Sequence, residues 1–201
     1  MDSMNHPDPT TQAIPVRQVT PQAVGCVETS SLARGLEAAD AMLKAAQVIL
    51  LAANPVCPGK YVVLVGGHVA EVNAAVAAGE AVAADTLVDR MVIPNVHPQV
   101  LQAFTATTNP EKIAALGMIE TFSAAAAIIA GDEAVKAARV DLLEIRLARA
   151  MGGKAFVLLT GEVSAVRAAV EAGNRAARAQ GLLLGYTVIP SPHPDLIPGL
   201  V

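Results

Sequence analysis

The chain carries an internal repeat, and this feature limits its fold more than any other. The block AVGCVETSS at 23–31 returns as ALGMIETFS at 115–123. Later in each copy, PGKYVVLVGGHVAEV at 58–72 is matched by GGKAFVLLTGEVSAV at 152–166, and VIPNVHP is then matched by VIPSPHP. Because chance does not preserve the order and spacing of several such blocks, the sequence predicts two homologous domains.

The matches place these domains at residues 23–105 and 113–201, joined by a short polar linker around Thr105–Glu111. A chain of 201 residues is long enough for two domains of about 100 residues each. Residues 1–22 contain four prolines among Thr, Gln and Asp, which predicts a flexible N-terminal tail. The tail lacks the apolar core of a secretory signal, so the expected location is cytoplasmic.

The composition argues against two classes of partner. Acidic side chains outnumber basic ones by 18 to 14, whereas a nucleic-acid-binding surface requires the opposite balance. The mean hydropathy of +0.48 is high. However, apolar runs such as Val48–Ala53 are far shorter than the ~20 residues that cross a bilayer. Only 16% of residues are charged, so the chain is expected to bury surface against copies of itself.

Each copy predicts the same order of elements, strand-helix-strand-strand-helix-strand, followed by a short helix. β-branched and aliphatic residues dominate the predicted strands, and apolar residues recur at helical spacing in the first helix. This order is typical of a ferredoxin-like α+β domain, in which helices cover an antiparallel sheet. The elements predicted in the first copy are strand Ala23–Thr29, a helix from Ser30 or Ser31 to about Ala46, strand Val48–Ala53, loop Asn54–Gly59, strand Tyr61–Val65, turn Gly66–Gly67, helix Val69–Ala83, strand Thr86–Ile93 and a helix around His97–Phe104.

No catalytic set is recognisable, because a dinucleotide-binding glycine loop, a Walker loop and an H-E-x-x-H motif are all missing from the sequence. His97 and His193 occupy equivalent positions before a proline, which favours turn or interface roles. Glu28 and Glu120 end equivalent strands, and we interpret them as capping or inter-domain hydrogen-bonding residues. Gly66–Gly67 is interpreted as a tight turn rather than as an anion cradle. The chain is therefore predicted not to be an enzyme.

The two cysteines have different sequence environments. Cys26 lies in the middle of a predicted strand, where it is expected to be a small core side chain. Cys57 lies in a loop between Pro55 and Pro58, and its counterpart in the second copy is Met151. The flanks of this loop are alike in the two copies, while the loop itself differs. Cys57 is therefore the candidate for a special role, with an inert loop cysteine as the alternative.

The repeated motifs resemble the bacterial microcompartment shell domain. The residues that carry the resemblance are A-V-G-C-V-E-T and A-L-G-M-I-E-T, D-A-M-L-K and D-E-A-V-K, and the P-G-K or G-G-K before a valine-rich strand. Two such domains in one chain resemble the tandem-domain shell proteins, and the C-P-G-K loop is similar to that of their propanediol-utilization members. The resemblance covers residues 23–201.

This resemblance implies a structural role in an assembly. In the family, three tandem chains form a ring of six domains, a pseudohexameric trimer, and such tiles pack edge to edge into the shell of an enzyme-filled compartment. We therefore expect a homotrimer that contacts other microcompartment shell proteins and resides in the shell. The lysine of the D-x-x-x-K segment lies at the tile edge in the family, which implies edge contacts for Lys44 and Lys136.

The resemblance also implies a central pore and a cofactor. The loop before P-G-K or G-G-K surrounds the pore in the family, so the implied pore-lining residues are Val56, Cys57, Pro58, Gly59, Met151, Gly152 and Gly153. Three chains would place three Cys57 thiols around one axis, and in the shell protein with the matching loop a [4Fe–4S] cluster sits there. The implied cofactor is one [4Fe–4S] cluster per trimer, held by Cys57 of each chain.

Three functions remain open at this point. A tile with a pore-bound cluster would serve electron transfer or cluster delivery across the shell, with encapsulated redox enzymes as partners. A tile with an open pore would instead pass metabolites and hold no cluster. The third interpretation, from another class, is a ferredoxin-like regulatory module that binds a small effector between its two domains.

Overall fold

A computed structural model describes residues 21–105, 113–147 and 151–199. Most of the predicted N-terminal tail, the linker after Thr105, and Arg149 and Ala150 of the second loop therefore lie outside the described residues. Among the described helices, none combines the length and the apolar character needed to cross a bilayer.

The first domain follows the predicted order of elements. They are β1 Ala23–Thr29, α1 Leu32–Ala45, β2 Ile49–Val56, β3 Lys60–Gly67, α2 Val69–Ala83, a 3-10 helix Ala84–Thr86, β4 Leu87–Ile93 and α3 Pro98–Ala103. The Ser31 side chain accepts a hydrogen bond from the Arg34 N–H and so caps α1, as the sequence predicts. Lys44 in the last turn complements the negative end of the helix dipole.

The second domain repeats this plan. Its elements are β5 Ala115–Thr121, α4 Ala124–Ala137, β6 Asp141–Arg146, β7 Ala155–Gly161, α5 Val163–Ala179, β8 Leu183–Pro190 and a 3-10 helix Pro194–Gly199. Ser123 caps α4 through its hydroxyl, which accepts from the Ala126 N–H, so the two helices begin in the same way.

Each domain contains one four-stranded antiparallel sheet, with strand orders β2-β3-β1-β4 and β6-β7-β5-β8. The first repeat block forms β1, one of the two inner strands, which is apolar along most of its length and buried throughout. Along β3, Val63 and Val65 pack with residues of α1 and α2, whereas Val62 and Leu64 alternate to the opposite face, toward α3. The predicted ferredoxin-like α+β fold is confirmed.

Two local predictions are wrong, and both concern the lengths of strands. Gly66–Gly67 is not a turn, because both glycines pair with β1 inside β3 and the chain turns into α2 only at His68. β2 continues through Pro55 to Val56, so the predicted loop shrinks to the turn Cys57–Gly59. Pro55 is tolerated in β2 because this is an edge strand, where a residue without an N–H need not break a ladder.

The two domains share a continuous apolar core. α4 of the second domain packs against β1, β4 and α3 of the first domain. One cluster of buried side chains joins Val24 and Val100 of the first domain to Ile128 of α4. This packing sets the orientation of the second domain and brings the β2–β3 and β6–β7 connections side by side.

Candidate functional site at the paired hairpin tips

The tip of the β2–β3 hairpin carries the candidate cysteine. It consists of Cys57, Pro58 and Gly59, and the Gly59 N–H donates to the Val56 carbonyl over 3.1 Å to close the turn. Gly59 has a φ of +91°, in the region of backbone conformation that favours glycine. Cys57 is half-buried, while Pro58 and Gly59 are exposed. A rigid strand pair thus holds the thiol at a turn on the molecular surface.

The β6–β7 connection ends in a second tip, which is rich in glycine. Met151 is half-buried, and the next residues, Gly152 and Gly153, have φ angles of +61° and +88°. The Lys154 N–H donates to the Met151 carbonyl over 3.2 Å. The second tip therefore turns at the equivalent position but offers no thiol.

The two tips are in contact. A Cβ built on Gly153 would lie 2.8 Å from Cδ of Pro58 and 3.3 Å from the carbonyl oxygen of Cys57. The positive φ and this close approach together require glycine at position 153. The structure thus gathers the residues predicted to line the pore on or beside two adjacent tips.

A buried ion pair connects the first tip to the domain interface. Nζ of Lys60, the residue after the tip, lies 2.7 Å from Oε1 of Glu28 and donates to the Phe122 carbonyl over 3.3 Å. The second carboxylate oxygen of Glu28 accepts from the Ala124 N–H, at the start of α4, over 2.8 Å. Unpaired N–H groups and the helix dipole make this a favourable place for a carboxylate. The predicted inter-domain hydrogen bonding of Glu28 is confirmed.

Other polar contacts across the interface were not predicted from the sequence. Asp132 accepts from the His97 backbone N–H over 2.8 Å and pairs with Lys136 at 2.5 Å. Gln99 accepts from the Leu142 N–H over 2.8 Å. The D-x-x-x-K motif contains Asp132, but its helical spacing does not reveal which face meets the other domain. His97 also accepts from the Gln99 N–H through Nδ1, which confirms its predicted turn and interface role.

Cys26 is separated from this site by burial. Its side chain is fully buried in β1. Burial raises the pKa of the Cys26 thiol well above its usual value, and the negative charges of Glu28 and Asp89 raise it further. The predicted core role of Cys26 is thereby confirmed. Within the described residues, no three His, Cys, Asp or Glu side chains come together to hold a metal ion.

The lysines predicted for the tile edge both lie in the last turn of a helix. Each pairs with the aspartate four residues earlier. The side chains of Lys44 and Asp40 are 74% and 61% exposed, whereas those of Lys136 and Asp132 are 37% and 3% exposed. The difference arises because the first domain covers Asp132, through His97. Both lysines keep an exposed part, and their edge contact stays a prediction.

Comparisons with known proteins agree with this architecture. The family model described as "BMC domain" matches twice, at residues 23–96 and 115–192. The chain is 44% identical over 175 residues to the bacterial microcompartment shell protein PduT of Citrobacter freundii, and the alignment covers 87% of this chain and 95% of PduT. It is also 46% identical over 82 residues to the bacterial microcompartment shell protein EutM of Salmonella typhimurium, and this alignment covers 41% of this chain and 83% of EutM.

A solved structure supports the same assignment. The crystal structure of a microcompartment protein from Desulfitobacterium hafniense DCB superimposes with a TM-score of 0.81 at 55% sequence identity, covering 88% of this chain and 98% of that chain. The relatives are shell proteins, so this chain is a structural component of the shell rather than an enzyme. Its two matched domains and its sheet topology lead to one conclusion: the chain belongs to the bacterial microcompartment shell protein family, as a member with two BMC domains in tandem.

Proposed function

We propose that three copies of this chain form a ring, that the paired tips surround its central pore, and that three Cys57 thiolates hold one [4Fe–4S] cluster there. The observation that carries the proposal is the position of Cys57. It is the one cysteine outside the core, and it lies on a tip that contacts the equivalent tip of the second domain.

The domain interface within one chain supplies the pattern for the contact between chains. Within the chain, Glu28 accepts the N–H of Ala124 at the start of α4. The repeat matches Glu28 to Glu120, and Ala124 to Leu32 at the start of α1. The carboxylate of Glu120 is half-buried and has no hydrogen bond or ion pair with the described residues. A neighbouring chain would bring its Leu32 N–H to Glu120 and repeat the capping contact.

The apolar surfaces of the two helices follow the same pattern. On α4, Ala124, Ile128 and Val135 belong to the shared core and are at most 8% exposed. Their counterparts on α1 are 48%, 62% and 40% exposed, and these counterparts are Leu32, Leu36 and Leu43. A row of exposed leucines marks a surface that another molecule covers.

The opposite side of the second domain is also uncovered. Val100 of α3 is fully buried, whereas its counterpart Leu196 is 43% exposed. Ile93 at the end of β4 is 7% exposed, whereas its counterpart Ile189 is 37% exposed. One chain thus exposes two different apolar surfaces, one on each domain, whose counterparts in the other domain are buried. In the proposed ring, successive copies therefore join head to tail. Contacts of this kind form a closed ring when the rotation between copies permits it.

The donors at the tip fit a cluster shared among chains. Iron–sulfur clusters are held by cysteine thiolates, usually four, and three Cys57 side chains leave one iron for a ligand that is not a cysteine. Thiolates gathered around one axis repel each other, and bound iron offsets that repulsion. A bound cluster supplies one-electron transfer. The proposed role is therefore electron transfer, or cluster delivery, across the shell to encapsulated redox enzymes.

The outer contacts of the ring are proposed to involve other shell proteins, edge to edge. The side chains of Lys44 and Lys136 are 74% and 37% exposed at equivalent helix ends. The double variant Lys44→Ala, Lys136→Ala is expected to form rings of native size but fewer extended sheets in electron micrographs. Sheets of native extent from the double variant would place the edge contact elsewhere.

Iron and acid-labile sulfide, measured on protein purified without oxygen, test the cluster. About four irons per three chains are expected for the native chain and none for Cys57→Ser. The matched control is Cys26→Ala, which removes the buried thiol and should retain the full iron content. Equal iron in the native chain and Cys57→Ser contradicts the ligand assignment. No iron in the native chain, even after reconstitution, leaves a tile with an open pore, and sedimentation equilibrium tests the trimer independently.

A further inference from the structure

A cavity of about 420 Å³ lies between α5 and β8 of the second domain and shares no residue with the hairpin tips. Its floor contains Val170 and Val188. Its wall carries three arginines and a single acid, and these residues are Arg167, Arg175, Arg178 and Glu171. We propose that this cavity binds a small multivalent oxyanion.

The charges of the wall are only partly compensated. Arg175 pairs with Glu171 at 3.0 Å, and both side chains are mostly exposed. The Arg178 guanidinium lies 5.8 Å from the centre of the Tyr186 ring and pairs with no acidic side chain among the described residues. Arg167 forms no hydrogen bond or ion pair with the described residues. Two positive charges without an acidic partner therefore line one cavity in a chain whose net charge is −4.

The matching surface of the first domain shows that the fold does not require these arginines. The first-domain residues at the three arginine positions are Asn73, Ala81 and Ala84. Glu80 and Arg90 occupy the positions of Asn174 and Tyr186, and they form an ion pair at 2.8 Å. The valines beneath are the same in both copies. The second domain thus has an arginine-lined cavity where the first has a neutral, ion-paired surface.

Asn174 gives an independent sign that the cavity lacks a component. Its side chain lines the cavity and is 6% exposed. Its Oδ1 is buried and has no hydrogen-bond partner among the described residues. Buried polar atoms in folded proteins nearly always have a partner. A ligand hydroxyl or amino group, reached by rotation of the Asn174 amide, would supply the missing donor.

The cavity is expected to stay open in the assembled ring, a step that rests on the proposed trimer. The equivalent surface of the first domain belongs to the domain that already packs against α4, yet Asn73, Ala81 and Arg90 are exposed there. The proposed contact between chains repeats that packing. The second-domain cavity therefore faces solvent in the ring as it does in the single chain.

Arginine recognises the planar or tetrahedral oxygens of carboxylates and phosphates through paired hydrogen bonds. The ligand class that fits is a small oxyanion of charge two or more that also carries a hydroxyl group. Phosphate esters and hydroxylated dicarboxylates share this chemistry. Glycerol 3-phosphate and malate serve as one probe of each kind.

Isothermal titration calorimetry of the whole chain with each probe, at constant ionic strength maintained with chloride, tests the site. Saturable binding of at least one probe at one site per chain is expected, and the probe that binds identifies the anion type. The double variant Arg167→Ala, Arg178→Ala should bind at least about tenfold more weakly. Asn174→Asp, which keeps the side-chain volume but adds a negative charge, should also weaken binding.

The matched control is Arg90→Ala, which removes an exposed arginine at the equivalent place of the first domain and should bind as the native chain does. Circular dichroism checks that every variant is folded. Saturation by neither probe, or equal affinity in the native chain and the double variant, overturns the proposal. Cys57→Ser should bind the probe normally, so failure of the cluster proposal and failure of this one are distinguished.

Discussion

Helices α1 and α4 occupy equivalent positions in the two domains. However, α4 packs against the other domain, whereas the matching side of α1 is exposed. Both begin with a capping serine, and both end with a lysine in the last turn. Ile128 of α4 is fully buried in the shared core, while the matching Leu36 of α1 is 62% exposed. Within one chain only one of the two helices can pack against the other domain, because the chain has a single interface between its two domains. The comparison teaches that the leucines of α1 lack the covering that α4 receives from the other domain, and in the proposed trimer a second molecule supplies it.

The largest expected effect comes from truncating the matched apolar side chains of α4 and α1. Ile128→Ala should lower the free energy of unfolding of the single chain by about 4 kcal/mol, because it leaves a cavity in the shared core. Leu36→Ala should leave the unfolding of the single chain nearly unchanged and weaken the trimer. Urea denaturation at low protein concentration and sedimentation velocity measure the two effects. A similar loss of single-chain stability in both variants would contradict the assigned roles.

A smaller effect is expected at the capping carboxylates. Glu28→Gln should lower the free energy of unfolding by about 2 kcal/mol, because it removes the charge that pairs with Lys60 and caps α4. Glu120→Gln has no such partner to lose within the described chain, so its expected effect is on the trimer dissociation constant. The control is Glu133→Gln, an acid of α4 that stays exposed although this helix packs against the first domain. A Glu120 variant that assembles as tightly as the native chain would refute the repeated capping contact.

Two matched glycines, Gly79 and Gly173, compare how closely the two helices of each domain pack. A Cβ at Gly173 would lie 2.7 Å from the backbone oxygen of Ala130, whereas a Cβ at Gly79 would lie 2.7 Å from Cγ and Sδ of the Met42 side chain. Backbone cannot move aside as a methionine does. Gly173→Ala should therefore cost about 2 kcal/mol of stability, and Gly79→Ala less than about 1 kcal/mol, in denaturant titrations. Equal losses would show that α4 and α5 can separate as readily as α1 and α2.

The smallest structural perturbation is chemical labelling of the two cysteines. In the metal-free native chain one thiol, that of Cys57, should react with a maleimide at pH 7, because burial raises the pKa of the Cys26 thiol and blocks access to it. Cys57→Ser should react only after unfolding. Mass spectrometry counts the labels. Two labels on the folded native chain would show that β1 opens more readily than its burial indicates.

The limits of prediction from sequence are clearest at particular residues. The repeat locates β1 and β5, since their apolar blocks are long and nearly identical. Cys57 stands out because its loop is the place where the copies differ. The turn predicted at Gly66–Gly67 is wrong because a glycine pair inside a strand has the same local pattern as a turn. The role of Asp132 could not be predicted, because its bond to His97 joins residues from different domains.

The amino-acid sequence by itself determines the two-domain plan, the ferredoxin-like topology and the shell family, because apolar periodicity and repeated motifs are local properties of the chain. The tertiary structure alone decides which copy of each repeated residue is buried. Glu28 and Glu120, or Ile128 and Leu36, have equivalent sequence surroundings and differ only in whether a neighbouring domain is present. Burial and hydrogen bonding depend on that neighbour, so the arrangement of the domains decides which of the repeated surfaces stay exposed.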